Sequence, residues 1–516
     1  MSAIGRRTKY VSCKTWDATR DDFTFPETGD PQFKIDEILS KPNVGLAFSG
    51  GGTRSATCVL GQLRGLKELN LLKNVRYISC VSGGSWASVP FVYLNDTWTD
   101  EMFLGQVISP ENLTVDALRK TDRNSFSHLI SDSVIIDNFF GHAARFAGDE
   151  TYSRAIGDIF LEPLDIDSLK RSFSLNANSV SRIIQNNPRL NRDDFYTIHP
   201  GRPFLIVGST LLRIDNPPSL PQKIHFETTP LYVGSRVFHQ EAGSKGLNIG
   251  GGYIEPLGFD SDEPHDPPDN SHVVEVRLGA SRHLYTLSDV VGTSGAAPAE
   301  VLAKLGLDWL GFPEFRHWSV PDANNTRARE YTFGDGGLLE NLGIMPLLMR
   351  QVKRIVVFIN TKAKLQGEGK DEINNSIPPL FGKTPPFDLN HVFPEDRYSE
   401  LVDKLLAKKV AGKTVMHRAK YPVKAAPHYG IEGGWEVDIL WVYNERVKEW
   451  ENKLPANIRK KIGTGSLGSF PHYRTFLQNP PKVIDLSAVQ VNLLAHLHCW
   501  NITAPENAEL FKDMLT

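Results

Sequence analysis

The stretch VGLAFSGGGTRSATCVLGQL, Val44 to Leu63, sets three consecutive glycines between two segments of different period. Val44–Phe48 is a short unbroken apolar run, the pattern of a strand buried on both faces of a parallel sheet. Val59, Leu60, Leu63, Leu66 and Leu69 then recur at helical intervals, which predicts a helix and leaves Ser49 to Arg54 as a strand-to-helix turn. Backbone N–H groups in such a turn lie beside a helix N-terminus with its partial positive charge, and glycine lets a ligand approach the backbone closely. The turn therefore reads as an anion site, for a phosphate or for a transient oxyanion. A P-loop needs G-x-x-x-x-G-K-[ST], and the lysine is missing. Gly50, Gly52 and Ser55 come close to the dinucleotide-binding G-x-G-x-x-G/A turn, so the phosphate reading stays open on local grounds.

The next stretch, RYISCVSGGSWASVPFVYL from Arg76 to Leu94, predicts a second strand over Tyr77–Val81 and a helix beginning at Ser85. Ser82-Gly83-Gly84 then sits at the sharp turn between them, the setting of a nucleophile elbow. The elbow pattern G-x-S-x-G occurs as Cys80-Val81-Ser82-Gly83-Gly84, with cysteine in place of the first glycine. Small residues suit these places because a strained turn presses its neighbours against adjacent backbone. A serine nucleophile needs a base, and YTFGDGGLLENLGIMPLLMRQVKRIVVFIN, Tyr331 to Asn360, offers Asp335 between two glycines at a strand end. Taken alone, such an aspartate is commonly a turn residue. A second serine competes: Gly292-Thr293-Ser294-Gly295-Ala296 fits the elbow formula more literally, but the residues before it lack a buried-strand pattern and no glycine-rich turn accompanies it. With 15 histidines in the chain, a Ser-His-Asp triad also stays open, although no motif marks its third member.

Together these motifs resemble the patatin-like lipid acyl hydrolases and, among them, the catalytic domain of the group IV cytosolic phospholipases A2. The resemblance rests on Ser49-Gly50-Gly51-Gly52-Thr53-Arg54, on Ser82-Gly83-Gly84-Ser85-Trp86, and on Asp335-Gly336-Gly337 followed by Glu340-Asn341-Leu342. PFLIVGSTLL followed by HFETTPLYVG adds a weaker similarity, and the whole set spans Val44 to Thr361. The resemblance implies an α/β fold with a central mixed sheet flanked by helices and a helical cap insertion. It implies a Ser-Asp dyad without histidine, with Ser82 as nucleophile and Asp335 as base. The N–H groups of Gly51 and Gly52 would form the oxyanion hole, Arg54 would meet the substrate phosphate, and the segment around Ser294 would be packing. The implied activity is cleavage of glycerophospholipid or lysophospholipid esters through an acyl-serine, with no cofactor and no metal. A general esterase or triacylglycerol lipase is the alternative within the class, and a non-catalytic phosphate-binding α/β protein is the alternative outside it. Cys80 departs from the pattern at the elbow, and no C2 module for calcium-driven membrane docking is recognised.

Composition fits this reading. The 516 residues exceed what one core usually holds, and the 40% hydrophobic fraction, 23% charged fraction and net charge of -3 exclude bulk nucleic-acid binding and extensive disorder. Cys13, Cys58, Cys80 and Cys499 have no CxxC spacing, which points to reduced thiols and no zinc. No signal peptide and no membrane span is predicted, so the expected location is cytoplasmic. Residues 1–41 read as an N-terminal lead-in, 42–370 as the catalytic core with a helical cap over about 100–199, and 371–516 as a C-terminal extension packed on the core. The glycine-rich and Asp/Pro-rich NIGGGYIEPLGFDSDEPHDPPDN reads as surface loop. Residues 404–424 gather Lys404, Lys408, Lys409, Lys413, Arg418, Lys420 and Lys424, either a solvated face or a peripheral membrane contact.

Overall fold

The computed structural model describes residues 10–30, 36–123, 125–131, 151–213, 221–240, 248–266, 272–279, 284–296, 313–323, 327–369, 371–383, 388–474 and 486–516. The chain divides into two compact units, one formed by Met1–Ser40, Val92–Asn95 and His142–Leu339, the other by Lys41–Phe91, Asp96–Gly141 and Glu340–Thr516.

The second unit holds the opening stretch. Tyr77–Val81, Val44–Phe48, Arg354–Ile359 and Trp435–Tyr443 lie side by side in that order, all parallel, and Met416–Val423 pairs antiparallel with Trp435–Tyr443. The first two strands are buried at every residue, as continuous apolar runs require, and Phe48 stacks on Phe358 of the neighbouring strand at 5.3 Å. A crossover must join parallel neighbours, and the Gly52–Glu68 helix supplies it between Val44–Phe48 and Tyr77–Val81. That helix packs on Ala488–Thr503 with the two backbones in contact: a Cβ on Gly61 would overlap the Ala495 carbonyl, and one on Gly65 would lie 3.0 Å from the Cys499 carbonyl oxygen. The last helix is Pro505–Leu515.

The first unit is built on antiparallel pairing. Its main strands run in the spatial order Val273–Arg277, Tyr10–Asp17, Asn248–Ile254, Val233–Gln240, Lys223–Thr228 and Phe204–Leu212. Arg329–Asp335 pairs with the C-terminal part of Phe204–Leu212 and carries Glu314–His317 on its other side. Aromatic rings fill the space beside these strands: Phe226, Phe259, Tyr285, Phe315 and Phe333 meet one another in edge or tilted contacts.

Two expectations are corrected here. The lead-in contains a strand, Tyr10–Asp17, hydrogen-bonded on both sides. The glycine-rich segment expected at the surface is instead the buried strand Asn248–Ile254, and Glu255 to Ser261 after it is buried as well. Its glycines serve close approach: a Cβ on Gly252 would lie 2.7 Å from Val320 Cβ and 2.8 Å from the Trp16 carbonyl oxygen. Gly250 and Gly251 have φ of 75° and 73°, where the pairing with Val233–Gln240 shifts register between Ser235 and Phe238. Residues 267–270 of that loop, and 132–150 of the expected cap, lie outside the described residues. What is described of 100–199 comprises several helices, including Thr151–Phe160 and Ala177–Asn186, and a parallel pair of short strands, Ser172–Ser174 and Phe195–Thr197. Among the described residues no helix is long and apolar enough to cross a membrane.

Candidate active site

Ser82 follows directly on the Tyr77–Val81 strand, with φ of 53°, a left-handed conformation that costs a non-glycine residue energy. The next residue opens the Gly83–Val92 helix, so the serine stands on the strained strand-to-helix corner that an elbow requires. Ser85 Oγ donates to the Ser82 carbonyl at 2.6 Å and ties the corner down. Ser82 itself is 7% exposed. The glycines after it are sterically required. A Cβ on Gly83 would overlap the Gly52 carbonyl oxygen, and one on Gly84 would lie 2.7 Å from the Phe48 carbonyl oxygen. Cys80 is fully buried, and burial pushes its thiol well up, so it is an inert neutral side chain beneath the elbow.

The elbow thus presses on the glycine turn. Gly51 and Gly52 have φ of 141° and 58°, and Gly52 is the first residue of its helix, where backbone N–H groups have no partner within the helix. The turn is held from three sides by the same unit. Ser49 N–H donates to the Phe358 carbonyl at 3.2 Å, Ser49 Oγ accepts from Asn360 N–H at 2.8 Å, and Gly50 N–H donates to the Asn341 carbonyl at 3.0 Å. A Cβ on Gly50 would overlap Asn341 Oδ1 and lie 2.9 Å from Ser82 Cβ. Asn341 in turn is set by Glu340, whose buried carboxylate accepts the N–H groups of Leu342 and Ile344. Burial lifts that carboxyl to about 7 although these N–H groups favour its anion. Glu340 and Asn341 belong to the recognised motif, but only the long-range bond to Gly50 shows what they hold.

Arg54, 5% exposed, donates from Nε to the Asn360 carbonyl at 2.9 Å and from Nη1 to the Tyr473 carbonyl at 2.6 Å, with Nη2 toward Gly51. Burial pulls its guanidinium down to about 10, still charged at neutral pH. Beneath it runs a buried polar chain. Gln62 donates to Asn360 Oδ1 at 2.7 Å and lies 3.1 Å from His498 Nδ1, while His498 Nε2 lies 3.1 Å from Asn444 Oδ1. Burial brings His498 to about 3, so the ring is neutral. Sequence reasoning missed these partners because they come from positions 360, 444, 473 and 498, each inconspicuous by itself.

Asp335 belongs to the other unit, at the end of the Arg329–Asp335 strand. Its N–H donates to the Ala296 carbonyl at 2.8 Å, its carbonyl accepts from Thr210 Oγ1 at 3.0 Å, and its Oδ1 accepts the Gly337 N–H at 2.7 Å. The carboxylate is thereby oriented by the N–H of Gly337, two residues on. Ser294 ends the Leu287–Ser294 helix and is no elbow, and its Oγ donates to the Gly208 carbonyl at 2.8 Å. Within the basic stretch, Lys409 pairs with Glu445 at 3.0 Å, Lys413 with Glu506 at 2.7 Å and Arg418 with Asp438 at 2.7 Å, acids supplied from elsewhere in the sequence.

These strand-turn-helix units place the protein in the α/β class, with a mixed sheet flanked by helices. Over 95% of its length the chain superposes on the structure of human GIVD cytosolic phospholipase A2, covering 64% of that chain with a TM-score of 0.51 at 13% identity. No family model matches. In sequence, 66 residues, 13% of the chain, are 42% identical to mouse cytosolic phospholipase A2 zeta, and 76 residues, 15% of the chain, are 41% identical to human cytosolic phospholipase A2 beta. The matches span 8% and 9% of those two relatives. The chain thus resembles the cytosolic phospholipases A2, locally in sequence and over nearly its whole length in fold.

Proposed function

We propose that the chain is a lipid acyl hydrolase that cleaves carboxylic esters of glycerophospholipids or lysophospholipids. One observation carries the reading: a left-handed serine on a strand-to-helix corner, packed so tightly on a glycine turn that Gly83 admits no side chain. A turn that served only to bind phosphate would not need a strained serine beside it.

In this reading Ser82 Oγ attacks the ester carbonyl carbon while its proton passes to the Asp335 carboxylate. The carbonyl oxygen becomes an oxyanion facing the Gly51 and Gly52 N–H groups, each such donor being worth about 3 kcal/mol of barrier. Collapse expels the glycerol-side alkoxide, which takes the proton from Asp335 and leaves an acyl-serine. Water then attacks the acyl carbon, again giving a proton to Asp335, and the fatty acid departs as Ser82 recovers its hydroxyl. Arg54 orients the phosphate next to the turn. A general esterase or triacylglycerol lipase would use the same atoms without that contact.

The test is release of free fatty acid from phosphatidylcholine and lysophosphatidylcholine in mixed micelles. Turnover by the parent protein and its loss in Ser82→Ala are expected. Hydrolysis of triacylglycerol or a short uncharged ester, with none of either phospholipid, would favour the esterase or lipase. Binding of phosphate with no ester hydrolysis at all would leave the non-catalytic reading.

A further inference from the structure

Asp335 leans on a corner of the chain that is held from several sides within the same unit. Its N–H donates to the Ala296 carbonyl at 2.8 Å, and the carbonyl of the preceding residue, Gly295, accepts the Tyr152 hydroxyl at 2.6 Å. One residue earlier, Ser294 Oγ donates to the Gly208 carbonyl at 2.8 Å. Gly208 lies on the Phe204–Leu212 strand, whose Ser209 pairs with Asp335 and whose Thr210 hydroxyl donates to the Asp335 carbonyl. These bonds close a ring that runs from corner to aspartate, from aspartate to strand, and from strand back to corner. Tyr152 reaches the ring from outside, out of the Thr151–Phe160 helix.

That helix is itself fixed. It packs on Leu287–Ser294 with a glycine on each side of the contact: a Cβ on Gly157 would lie 2.3 Å from Ser288 Oγ, and one on Gly292 would lie 2.3 Å from Ser153 Cα. Arg154 and Asp289, both buried, pair between the two helices at 3.4 Å. The other oxygen of Asp289 accepts the Thr286 N–H at 2.8 Å, so the ion pair also anchors the start of the second helix. Tyr152 is buried, and burial first, then the Asp335 charge, push its hydroxyl well above the ordinary range, so it keeps its proton and donates.

We propose that Tyr152 is a positioning residue for the proposed base, fixing Asp335 through the Gly295–Ala296 corner. The inference rests on the lipid hydrolase reading for the role of Asp335. A general base works only within hydrogen-bond reach of the proton it takes, and small misplacements lower the rate steeply. Tyr152→Phe keeps the ring and removes the hydroxyl, which leaves the buried Gly295 carbonyl without that donor and lets the corner relax.

Two readouts on the full-length protein test this: hydrolysis of micellar phosphatidylcholine or lysophosphatidylcholine, and the rate at which a fluorophosphonate probe labels Ser82. Tyr152→Phe, folded by circular dichroism, should lower kcat about tenfold with KM within about twofold of the parent, and should slow labelling by a similar factor. In Asp335→Asn protein the same substitution should slow labelling no further, because the carboxylate it positions is already gone. Equal slowing in both backgrounds would mark a general structural role and overturn the proposal. If Tyr152→Phe does not fold, Ser294→Ala, which cuts a second tie of the same corner, takes its place with the same expected pattern, and a parental labelling rate there would overturn the proposal. An active parent matched in kcat by Tyr152→Phe overturns this inference alone, whereas a parent that neither hydrolyses phospholipid nor takes the probe at Ser82 overturns the hydrolase reading and the inference with it.

Discussion

The unit that carries Ser82 and the unit that carries Asp335 are made differently. Around Ser82 the strands Tyr77–Val81, Val44–Phe48, Arg354–Ile359 and Trp435–Tyr443 are parallel, and the serine's conformation is fixed within a few residues by a strand end, a helix start and the glycines next to it. Around Asp335 the strands are antiparallel, and the aspartate is placed by partners distant in sequence, Ala296 and Thr210. The strained conformation of Ser82, the proposed nucleophile, is thus enforced locally by backbone geometry. Asp335, the proposed base, is instead oriented by long-range pairing within its own unit. Substitutions on the two sides should therefore fail in different ways.

The largest effects are expected at the proposed dyad of Ser82 and Asp335. Ser82→Ala and Asp335→Asn should each lower kcat by at least about a thousandfold, and the double variant should be little worse, because the two act as one unit. Losses that simply multiply would mean that the residues do not share a proton. Next come the glycines at close contacts. Gly61→Ala in the parallel unit forces a methyl into the Ala495 carbonyl, and Gly252→Ala in the antiparallel unit forces one against Val320 and the Trp16 carbonyl. Each should cost about 1–3 kcal/mol, read as a lower urea midpoint. An unchanged midpoint for Gly252→Ala would return that segment to the status of a loose loop.

The same contrast governs how much the sequence reveals. Strands buried on both faces of a parallel sheet are continuous apolar runs, so Val44–Phe48 and Tyr77–Val81 are predicted with their observed bounds. The elbow and the glycine turn are legible with them, because adjacent residues make both. The antiparallel unit hides more. Tyr10–Asp17 alternates too weakly to stand out from a polar lead-in, and Asn248–Ile254 carries three glycines whose composition signals a loop until packing against Val320 and Trp16 is known. Arg54 is visible as a charge after the turn, but its carbonyl partners at 360 and 473 depend on chain folding that no local pattern encodes. Within the basic stretch, Lys409, Lys413 and Arg418 are balanced by Glu445, Glu506 and Asp438, which lie outside it.

A smaller effect follows from Glu340. Its folded pKa of about 7 lies above the ordinary 4.5, so its contribution to stability is complete below the ordinary value and is lost as pH rises through about 7. Across that window the unfolding free energy should fall by up to about 1.4 kcal/mol per pH unit, and Glu340→Gln should flatten the slope. Urea unfolding at pH 5, 6 and 7 measures it, and identical slopes in the two proteins would remove Glu340 as the titrating group. The smallest expected effect is none. Hydrolysis of micellar substrate should survive EDTA, since the proposed chemistry uses only the serine, the aspartate and backbone amides, and activity lost to EDTA and restored by calcium would contradict it.

The most direct test of the dyad is covalent. A fluorophosphonate probe reacts with an activated serine, and peptide mass spectrometry locates the adduct. The expected result is a single adduct on Ser82, formed much more slowly in Asp335→Asn protein that unfolds at the same urea concentration as its parent. An adduct on Ser294, or labelling of Ser82 at the parent rate in Asp335→Asn, would contradict the assignment of Ser82 and Asp335 as nucleophile and base.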